Sequence, residues 1–356
     1  MAELRHIGLC LGRLETWHDG LGEVSRRLGE YLAAQAPALR EEGIALHVRL
    51  PQALHGCFGD GLHYIPTHTW QRLPHWGAQR FDLWHTIHQH IRLRAPIGTR
   101  QRLLTVHDLN FVYSKAPRKV PKYLRKLTRL CQRQTALVAI TRHVADDMQR
   151  HLALGLGLAP QVIHNGVSDL SSAPREPLPD APRPGYLLHL SRMAASKNVK
   201  ALLELASAMP GQAFVFAGPR SVDSEQLRGE IQRRGLGHVQ LIENVSEAQK
   251  AWLFAHCRGF LFPSLTEGFG LPPLEAMQFG KPVFLSRLTS LPEVGGAVAY
   301  YFDRFDGPAM RTVVQDGLAD FDQPGRVDAV LAHARSFSWA RCGQAYLALY
   351  RQLLAR

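Results

Sequence analysis

Short apolar segments alternate with amphipathic helical patterns along this chain, and the alternation occurs twice. The apolar segments are too short for helices and suit strands that are buried on both faces, as in a parallel sheet. The clearest are HIGLCL, IALHVRL and LLTV in the first half, and YLLHLS, AFVFAG and GFLF in the second. Because strand, helix and strand in succession build βαβ units, the sequence predicts an α/β protein with two Rossmann-like domains.

A proline-rich stretch at 168–185 separates the two halves and contains few large apolar side chains. Such a segment cannot build a helix or strand of its own. We therefore expect a first domain at 1–172 and a second at 173–336, with a cleft between them. The amphipathic pattern at the end of the sequence predicts a last helix that is capped by Ser336 or Ser338.

The composition excludes several classes of protein. The 356 residues are 46% hydrophobic and 20% charged, which is typical of a globular chain rather than a disordered one. No apolar run approaches the roughly 20 residues of a membrane-spanning helix, and the first residues lack the cleavage pattern of a signal peptide. Five scattered cysteines without a CxxC pair favour reduced thiols. We therefore expect a cytoplasmic protein without a cysteine-based metal site.

The net charge of +12 is concentrated in one segment at 113–130, YSKAPRKVPKYLRKLTRL, which contains no acid. Its cations include Lys119, Lys122, Arg125 and Lys126. Such a segment suits a phosphorylated substrate, an anionic membrane or a nucleic acid. It is equally compatible with a helix face that is simply solvated.

The stretch at 262–281, FPSLTEGFGLPPLEAMQFGK, combines a buried strand, a glycine-containing loop and a helix start. Proline suits a first helical turn, and glycine allows close approach of a ligand to the backbone. A loop that leads into a helix N-terminus forms an anion-binding site. Glu267 in the loop and Glu275 in the first turn of the helix stand eight positions apart. An ordinary turn with a self-capping glutamate would have the same sequence pattern.

Two segments of the first half follow predicted strands, at the positions where α/β proteins bind ligands. A helix begins close to Gly20 and Gly22, and His107 follows the strand LLTV. His85, His88 and His90 lie close together in sequence and could together bind a metal ion, but no acidic or cysteine partner accompanies them.

Together these motifs resemble the retaining glycosyltransferases of family 4, nucleotide-sugar enzymes with the GT-B fold. PSLTEGFGLPPLEAM is similar to the family's E-x7-E signature, with Glu267 and Glu275 as its two glutamates. HLSRMAASKN resembles the segment that supplies an arginine and a lysine, here Arg192 and Lys197. VHDL matches the family's histidine after a first-domain strand, here His107. The motifs occur in the family's order across essentially the whole chain.

Further segments extend the resemblance to both ends of the sequence. HDGLG is similar to the glycine-rich N-terminal loop, with Gly20 and Gly22 in place and Asp19 where a first glycine is commoner. The pattern at 337–356 is similar to the terminal helix that crosses back to the first domain in this family. The resemblance is to members that build bacterial cell-surface polysaccharide or lipopolysaccharide.

The resemblance implies a role for each of the main site residues. Glu275 would accept hydrogen bonds from the ribose hydroxyls, Glu267 would lie beside the donor sugar, and His107 would contact that sugar from the first domain. Arg192 and Lys197 would stabilise the charge of the departing nucleoside diphosphate, so that no metal and no other cofactor is expected. The backbone groups expected to bind the donor belong to Gly20, Gly22, Gly268, Phe269, Gly270 and Leu271.

In this family the first domain binds the acceptor, so the basic segment suggests an acceptor that is anionic or membrane-held. A lipopolysaccharide core or a polyprenyl-diphosphate-linked glycan would fit, with the enzyme in peripheral contact with the cytoplasmic face of the inner membrane. Asp19 would face the acceptor. GDP-mannose is the preferred donor, because the HDL and EGFGLP motifs resemble the corresponding sequences of mannosyltransferases. A UDP-hexose is the second choice.

Two alternatives remain open at this stage. A GT-B nucleotide-sugar epimerase would use the same scaffold with different acids. A non-catalytic protein that binds a sugar nucleotide or an anionic glycan, or one that binds nucleic acid, would explain the charge but not the paired glutamates. A glycoside hydrolase would also use two carboxylates but would not need the phosphate-binding cations.

Overall fold

The computed structural model describes residues 4–12, 20–155 and 157–356. The chain divides into two compact units. The first comprises Met1–Gly166 together with Ser338–Arg356, and the second comprises Val167–Phe337. The change of unit therefore falls at the start of the proline-rich stretch, at Gly166 rather than at residue 172.

The first unit is built on a parallel sheet. Its strands are β1 (Arg5–Cys10), β2 (Ile44–Leu50), β3 (His63–Pro66), β4 (Leu83–Thr86), β5 (Gln101–Val106), β6 (Ala136–Ala139) and β7 (Gln161–Val162). They pair in the order β3-β2-β1-β4-β5-β6-β7, so the direction of winding reverses between β1 and β4. In the register, Ile7 of β1 lies between Leu46 and Leu83. These central strands are buried on both faces, which explains their continuous apolar sequences.

Helices connect the strands of the first unit. They are α1 (Gly20–Glu41), α2 (Phe111–Ser114), α3 (Val120–Cys131) and α4 (Arg142–His151). Helix α1 packs Val24, Leu28 and Leu32 inward at helical spacing. Helix α4 begins after Thr141, whose hydroxyl accepts a hydrogen bond from the Val144 N–H at 3.1 Å, as the capping pattern predicts.

The second unit repeats this architecture. Its strands are β8 (Leu187–Leu190), β9 (Phe214–Gly218), β10 (Val239–Glu243), β11 (Gly259–Phe262), β12 (Val283–Ser286) and β13 (Tyr300–Phe302), in the parallel order β10-β9-β8-β11-β12-β13. Its helices are α5 (Val199–Ala208), α6 (Val222–Arg233), α7 (Glu247–His256), α8 (Leu271–Gln278), α9 (Leu291–Gly295), α10 (Gly307–Phe321) and α11 (Arg326–Arg335). The sheet again reverses its winding at its centre, between β8 and β11. In an open α/β sheet this is the place where ligands bind.

The last helix, α12 (Trp339–Leu354), belongs to the first unit. Ser338 caps it by accepting a hydrogen bond from the Arg341 N–H at 3.2 Å. Inside the unit, the Tyr350 hydroxyl lies 2.7 Å from His85 Nδ1, and the Tyr346 hydroxyl lies 2.9 Å from Thr105 Oγ1. The predicted fold class, two parallel-sheet α/β units with a terminal helix that returns to the first, is therefore confirmed.

Candidate functional site

Three neighbouring strand ends define the candidate site in the second unit. Strands β8, β11 and β12 are adjacent in the sheet, so the loops that follow them lie at one edge. Arg192 follows β8, the loop at 263–270 follows β11, and Thr289 and Ser290 follow β12. The two loops with predicted site residues thus emerge side by side, as expected of a ligand site in an α/β protein.

The loop after β11 turns sharply into α8 at Gly270. This residue has φ of 112°, a conformation that favours glycine. A Cβ atom at this position would lie 2.9 Å from Leu291 Cδ2, so there is also little room for a side chain. Helix α8 begins at Leu271 and directs its first N–H groups towards this turn.

The loop is held by side chains that sequence reasoning did not identify. The Glu267 N–H donates to Thr289 Oγ1 at 3.0 Å. The Ser290 hydroxyl lies 3.1 Å from the Glu267 carbonyl oxygen and 2.9 Å from that of Phe269. Thr289 has φ of 50°, which is uncommon for a residue other than glycine. These contacts fix the backbone at 267–269 before any ligand arrives.

The first of the two glutamates forms an ion pair with the predicted lysine. Lys197 Nζ makes a close contact with Glu267 Oε1, and both side chains are mostly buried. The Lys197 ammonium also lies 5.2 Å from the centre of the Phe262 ring. A backbone hydrogen bond of 2.8 Å from the Leu265 N–H to the Ser196 carbonyl joins the two loops that carry the pair. The structure therefore places Lys197 and Glu267 in direct contact, a pairing that the signature motifs do not predict.

The second glutamate pairs with Lys250 of α7, which the sequence did not single out. Lys250 Nζ lies 2.7 Å from Glu275 Oε1, and the Glu275 side chain is only 3% exposed. Glu275 lies in the second turn of α8, not in its first turn as predicted, because the helix begins at Leu271. Nothing in the local sequence around Lys250 indicates this contact, since the two residues belong to different helices.

The loop that carries Arg192 is supported from beneath by buried polar groups. His189 Nδ1 lies 2.8 Å from the Leu261 carbonyl, and its Nε2 lies 2.7 Å from Ser191 Oγ. Burial lowers the pKa of His189 to about 4, so the ring is neutral near pH 7. Gly218 at the end of β9 approaches the same loop so closely that a Cβ atom would lie 2.0 Å from the Ser191 carbonyl oxygen. Arg192 itself is exposed.

In the first unit, His107 lies at the carboxyl end of β5, as predicted. Its Nε2 lies 2.8 Å from the Ile87 carbonyl, to which it donates, and its backbone N–H donates to Gln89 Oε1 at 2.9 Å. Burial lowers the pKa of His107 to about 4, so Nδ1 is left as a neutral acceptor. Gly20 and Gly22 form the start of α1, and Asp19 lies outside the described residues.

The basic segment of the first unit is a helix with its cations in solvent. Lys119 precedes α3, and Lys122, Arg125 and Lys126 lie on it; all four are exposed. Leu127 and Cys131 anchor the opposite side in the unit. The helix is therefore amphipathic, with a cationic outer face.

Of the three histidines that are close together in sequence, His85 has hydrogen-bond partners within the first unit. His85 is fully buried and lies 2.7 Å from the Tyr350 hydroxyl and 2.9 Å from Thr105 Oγ1. Within the described ranges, no group of three or more His, Cys, Asp or Glu side chains is arranged to hold a metal. Asp320 and Asp322 have the Asp-x-Asp spacing, but their carboxylates pair with Arg326 and Arg258.

None of the helices that the structure describes is both long enough and apolar enough to cross a bilayer.

Comparison with known proteins shows what the chain is similar to. Residues 173–297 match the family of glycosyl transferases group 1. The chain is 33% identical over 177 residues to the O-antigen chain mannosyltransferase B of Escherichia coli, covering 48% of this chain and 46% of that protein. It is 26% identical over 283 residues to the GDP-mannose:cellobiosyl-diphosphopolyprenol alpha-mannosyltransferase of Xanthomonas campestris, covering 75% and 72% of the two chains.

The fold is shared more widely than the sequence. The sucrose-phosphate synthase of Thermosynechococcus elongatus superposes with a TM-score of 0.73 over 99% of both chains at 19% identity, which is a likeness of fold alone. This architecture is the GT-B fold. The chain spans less than half the length of the Escherichia coli mannosyltransferase it matches. Arg192 and both lysine–glutamate pairs lie within residues 173–297, the segment that matches the family of glycosyl transferases group 1.

Proposed function

We propose that this chain is a metal-independent retaining glycosyltransferase. It transfers a hexose from a nucleoside-diphosphate sugar to a glycan or a lipid-linked acceptor such as lipopolysaccharide. The observation that carries this proposal is the presence of two buried lysine–glutamate pairs beside adjoining strand ends, within the segment that matches the glycosyl transferases group 1 family.

The donor requires cations for its diphosphate and carboxylates for its hydroxyl groups. Arg192 and Lys197 lie on the loop after β8, where they neutralise the charge that develops as the nucleoside diphosphate departs. The start of α8 adds N–H groups with the same effect. Arg as a bidentate donor and Lys as a point charge suit phosphate oxygens, which is why the reaction needs no metal ion.

The two glutamates divide the remaining recognition between them. Glu275, buried and held by Lys250, accepts hydrogen bonds from the ribose hydroxyls. Glu267 lies at the tip of the loop and binds the donor sugar or supports positive charge at its anomeric carbon. In the structure Glu267 holds Lys197. When the donor binds, its phosphate competes with Glu267 for the Lys197 ammonium. Diphosphate binding is thereby coupled to release of the Glu267 carboxylate.

The first unit contributes residues for the donor sugar and for the acceptor. His107, neutral and with Nδ1 directed to accept, contacts the donor sugar. We propose that backbone groups of Gly20 and Gly22, at the start of α1, bind the donor. From the sequence alone, we also propose that Asp19 serves the acceptor. Attack by the acceptor occurs on the face that the nucleotide leaves, with retention of configuration.

A mannose donor is favoured over other hexoses. The relatives in Escherichia coli and Xanthomonas campestris are mannosyltransferases by name, and the latter uses GDP-mannose. GDP-mannose is therefore the donor we propose, with a UDP-hexose as the next candidate.

The acceptor is anionic or held at a membrane. The exposed cations Lys119, Lys122, Arg125 and Lys126 support this, because phosphate-bearing glycans and anionic lipids are attracted to such a face. The enzyme would act at the cytoplasmic face of the inner membrane. Neutralising these four residues together is expected to reduce binding to anionic vesicles or turnover of the acceptor.

The proposal is tested by donor binding and by slow donor hydrolysis without an acceptor. We expect GDP to bind in calorimetry and GDP-mannose to be hydrolysed faster than UDP-glucose, UDP-galactose and a rhamnose donor. Failure of every nucleoside diphosphate to bind would refute the proposed function. Binding without hydrolysis or transfer would favour a non-catalytic protein, and a change in the sugar's stereochemistry would favour an epimerase.

Substitution of the glutamates assigns their roles. Glu267→Gln is expected to keep GDP affinity and to lose transfer by more than about 100-fold, since it removes charge stabilisation at the reacting centre. Glu275→Gln is expected to weaken GDP binding. The exposed Glu225 on α6 provides the matched control, because Glu225→Gln should change neither property. Full activity of Glu267→Gln would contradict its role.

A further inference from the structure

The segment between β3 and β4 exposes three large apolar side chains that the proposed catalytic function does not use. Trp70, Leu73 and Trp76 are 52%, 65% and 74% exposed. Single exposed apolar residues are ordinary, but two tryptophans and a leucine exposed within residues 70–76 concentrate apolar surface on one short segment. We refer to Trp70, Leu73 and Trp76 as the Trp-Leu-Trp surface.

The backbone beneath this surface is firmly held. Gln71 is buried, accepts a hydrogen bond from the His68 N–H at 2.9 Å and donates to the Pro66 carbonyl at 3.1 Å. The Arg94 N–H donates to the Gln71 carbonyl at 2.8 Å, and the Ile97 N–H donates to the His75 carbonyl at 2.7 Å. The apolar side chains are therefore displayed by an ordered segment.

A buried arginine completes this support. Arg49 of β2 is 1% exposed and lies 4.2 Å from the centre of the Trp84 ring. It donates hydrogen bonds to the Arg94 carbonyl at 2.7 Å and to His75 Nε2 at 3.2 Å. Burial of a guanidinium is costly, and here its hydrogen bonds join the segment between β3 and β4 to the segment between β4 and β5. The surface cannot fold inward without breaking them.

The surroundings of the surface are positively charged. Between Gly61 and His107 the sequence contains one acid, Asp82, whose carboxylate accepts from the His6 N–H at 2.8 Å. Arg72 on this segment is exposed, as are Arg92 and Arg94 on the neighbouring segment between β4 and β5, which is joined to the first through the Arg94 N–H and the Gln71 carbonyl. An apolar centre within a cationic surround complements an anionic lipid surface, with tryptophan at the level of the headgroups.

The side chains near the Trp-Leu-Trp surface disfavour a sugar as its ligand. Glycan sites combine aromatic rings with carboxylates or amides that bind hydroxyl groups. Among residues 66–76 the only carboxylate or amide side chain is that of Gln71, which is buried and already hydrogen-bonded. Leu73, an aliphatic side chain, is exposed between the two tryptophans.

We propose that the Trp-Leu-Trp surface inserts into the headgroup region of an anionic lipid bilayer. It supplies an apolar, salt-resistant contact in addition to the electrostatic contact of the basic helix α3. The inference does not depend on sugar transfer, because vesicle binding is measured without donor or acceptor.

The test compares the full chain with Leu73→Ala/Trp76→Ala in binding to phosphatidylglycerol-containing vesicles. We expect roughly tenfold weaker partitioning for the variant, at low salt and at about 0.5 M salt, because the lost apolar contact is not screened. The control is Val222→Ala/Val327→Ala, which truncates exposed apolar side chains of the second unit and should change nothing. Transfer to a soluble acceptor should be the same in all three proteins, which separates this inference from the proposed function.

Insertion is also measured directly through quenching of tryptophan fluorescence by brominated lipid. Quenching is expected in the wild-type protein and is expected to be largely lost in Trp70→Phe/Trp76→Phe, which keeps apolar rings in place. Equal partitioning of Leu73→Ala/Trp76→Ala and wild type would overturn the proposal. So would quenching that survives in Trp70→Phe/Trp76→Phe, or capture of a soluble glycan in preference to vesicles.

Discussion

Replacing Lys250 with methionine isolates the charge of the ammonium that holds Glu275. The two side chains are 14% and 3% exposed, and their ionic atoms are 2.7 Å apart. Methionine keeps most of the length of the side chain, so the packing of α7 on α8 is largely retained. What changes is that a buried carboxylate loses its cationic partner. Breaking a buried pair in this way costs about 3 to 5 kcal/mol, and we expect the lower end because Lys250 retains some access to water.

Hydrogen exchange in peptides from β11 and α8 measures this cost within the second unit. A loss of about 3 kcal/mol raises the exchange rate of globally protected amides by about 100-fold. Peptides from β5 of the first unit provide an internal reference. Exchange is preferable to a single unfolding midpoint because a chain with two units need not unfold in one step.

The double variant Lys250→Met/Glu275→Gln gives the decisive comparison. It removes both charges, so its stability should return to within about 1 kcal/mol of the wild type. GDP binding should not return, since the proposed ribose-binding carboxylate is gone. The exposed pair Arg220 and Glu225, at 68% and 59% exposure, is the control, and Arg220→Met should cost less than about 1 kcal/mol. Equal costs for Lys250→Met and Arg220→Met, or additive costs in the double variant, would refute the reasoning.

Two further predictions concern acid and backbone packing. Burial lowers the pKa of His85 to about 3 and of His107 to about 4 from 6.5, so below pH 6.5 the unfolded chain binds protons that the folded chain does not. The first unit should therefore keep its stability above pH 6.5 and lose about 1.4 kcal/mol per histidine at pH 5.5; an unchanged urea midpoint between pH 7.5 and 5.5 would contradict this. Gly218→Ala places a Cβ 2.0 Å from the Ser191 carbonyl and should lower the stability of the second unit by more than about 2 kcal/mol. Gly211→Ala, where no atom lies within 4 Å, should have little effect on the melting temperature, and similar melting of both variants would count against the packing argument.

The main outline of the fold and site could be predicted from sequence because it depends on local patterns. Apolar runs of strand length, separated by amphipathic helices, identified the strands that are buried on both faces. The predicted ligand loops lie at strand ends because connections in parallel sheets place them there. Lys197 and Glu267 can be singled out because both belong to recognisable motifs, but those motifs do not predict their contact with each other.

The remaining features depend on contacts between segments that are distant in sequence. Lys250 looks like any surface lysine of an amphipathic helix until α7 and α8 are packed together. Gly218 looks like an ordinary strand end until the loop after β8 approaches it. The segment between β3 and β4, rich in His, Trp and Pro, has no local pattern that indicates its structure, because it is held by Arg49 of β2. Asp19 remains a prediction.

The return of α12 to the first unit has a consequence for the order in which the protein folds during synthesis. The ribosome releases residues 1–166, then the whole second unit, and only afterwards Ser338–Arg356. Until then the first unit lacks Tyr346, Leu347 and Tyr350, which are part of its hydrophobic core. A nascent first unit therefore exposes the apolar surface that α12 later covers while the second unit folds. In this interval it depends on chaperones. A ribosome that stalls before residue 338 would leave an aggregation-prone chain even though most of both sheets had been made.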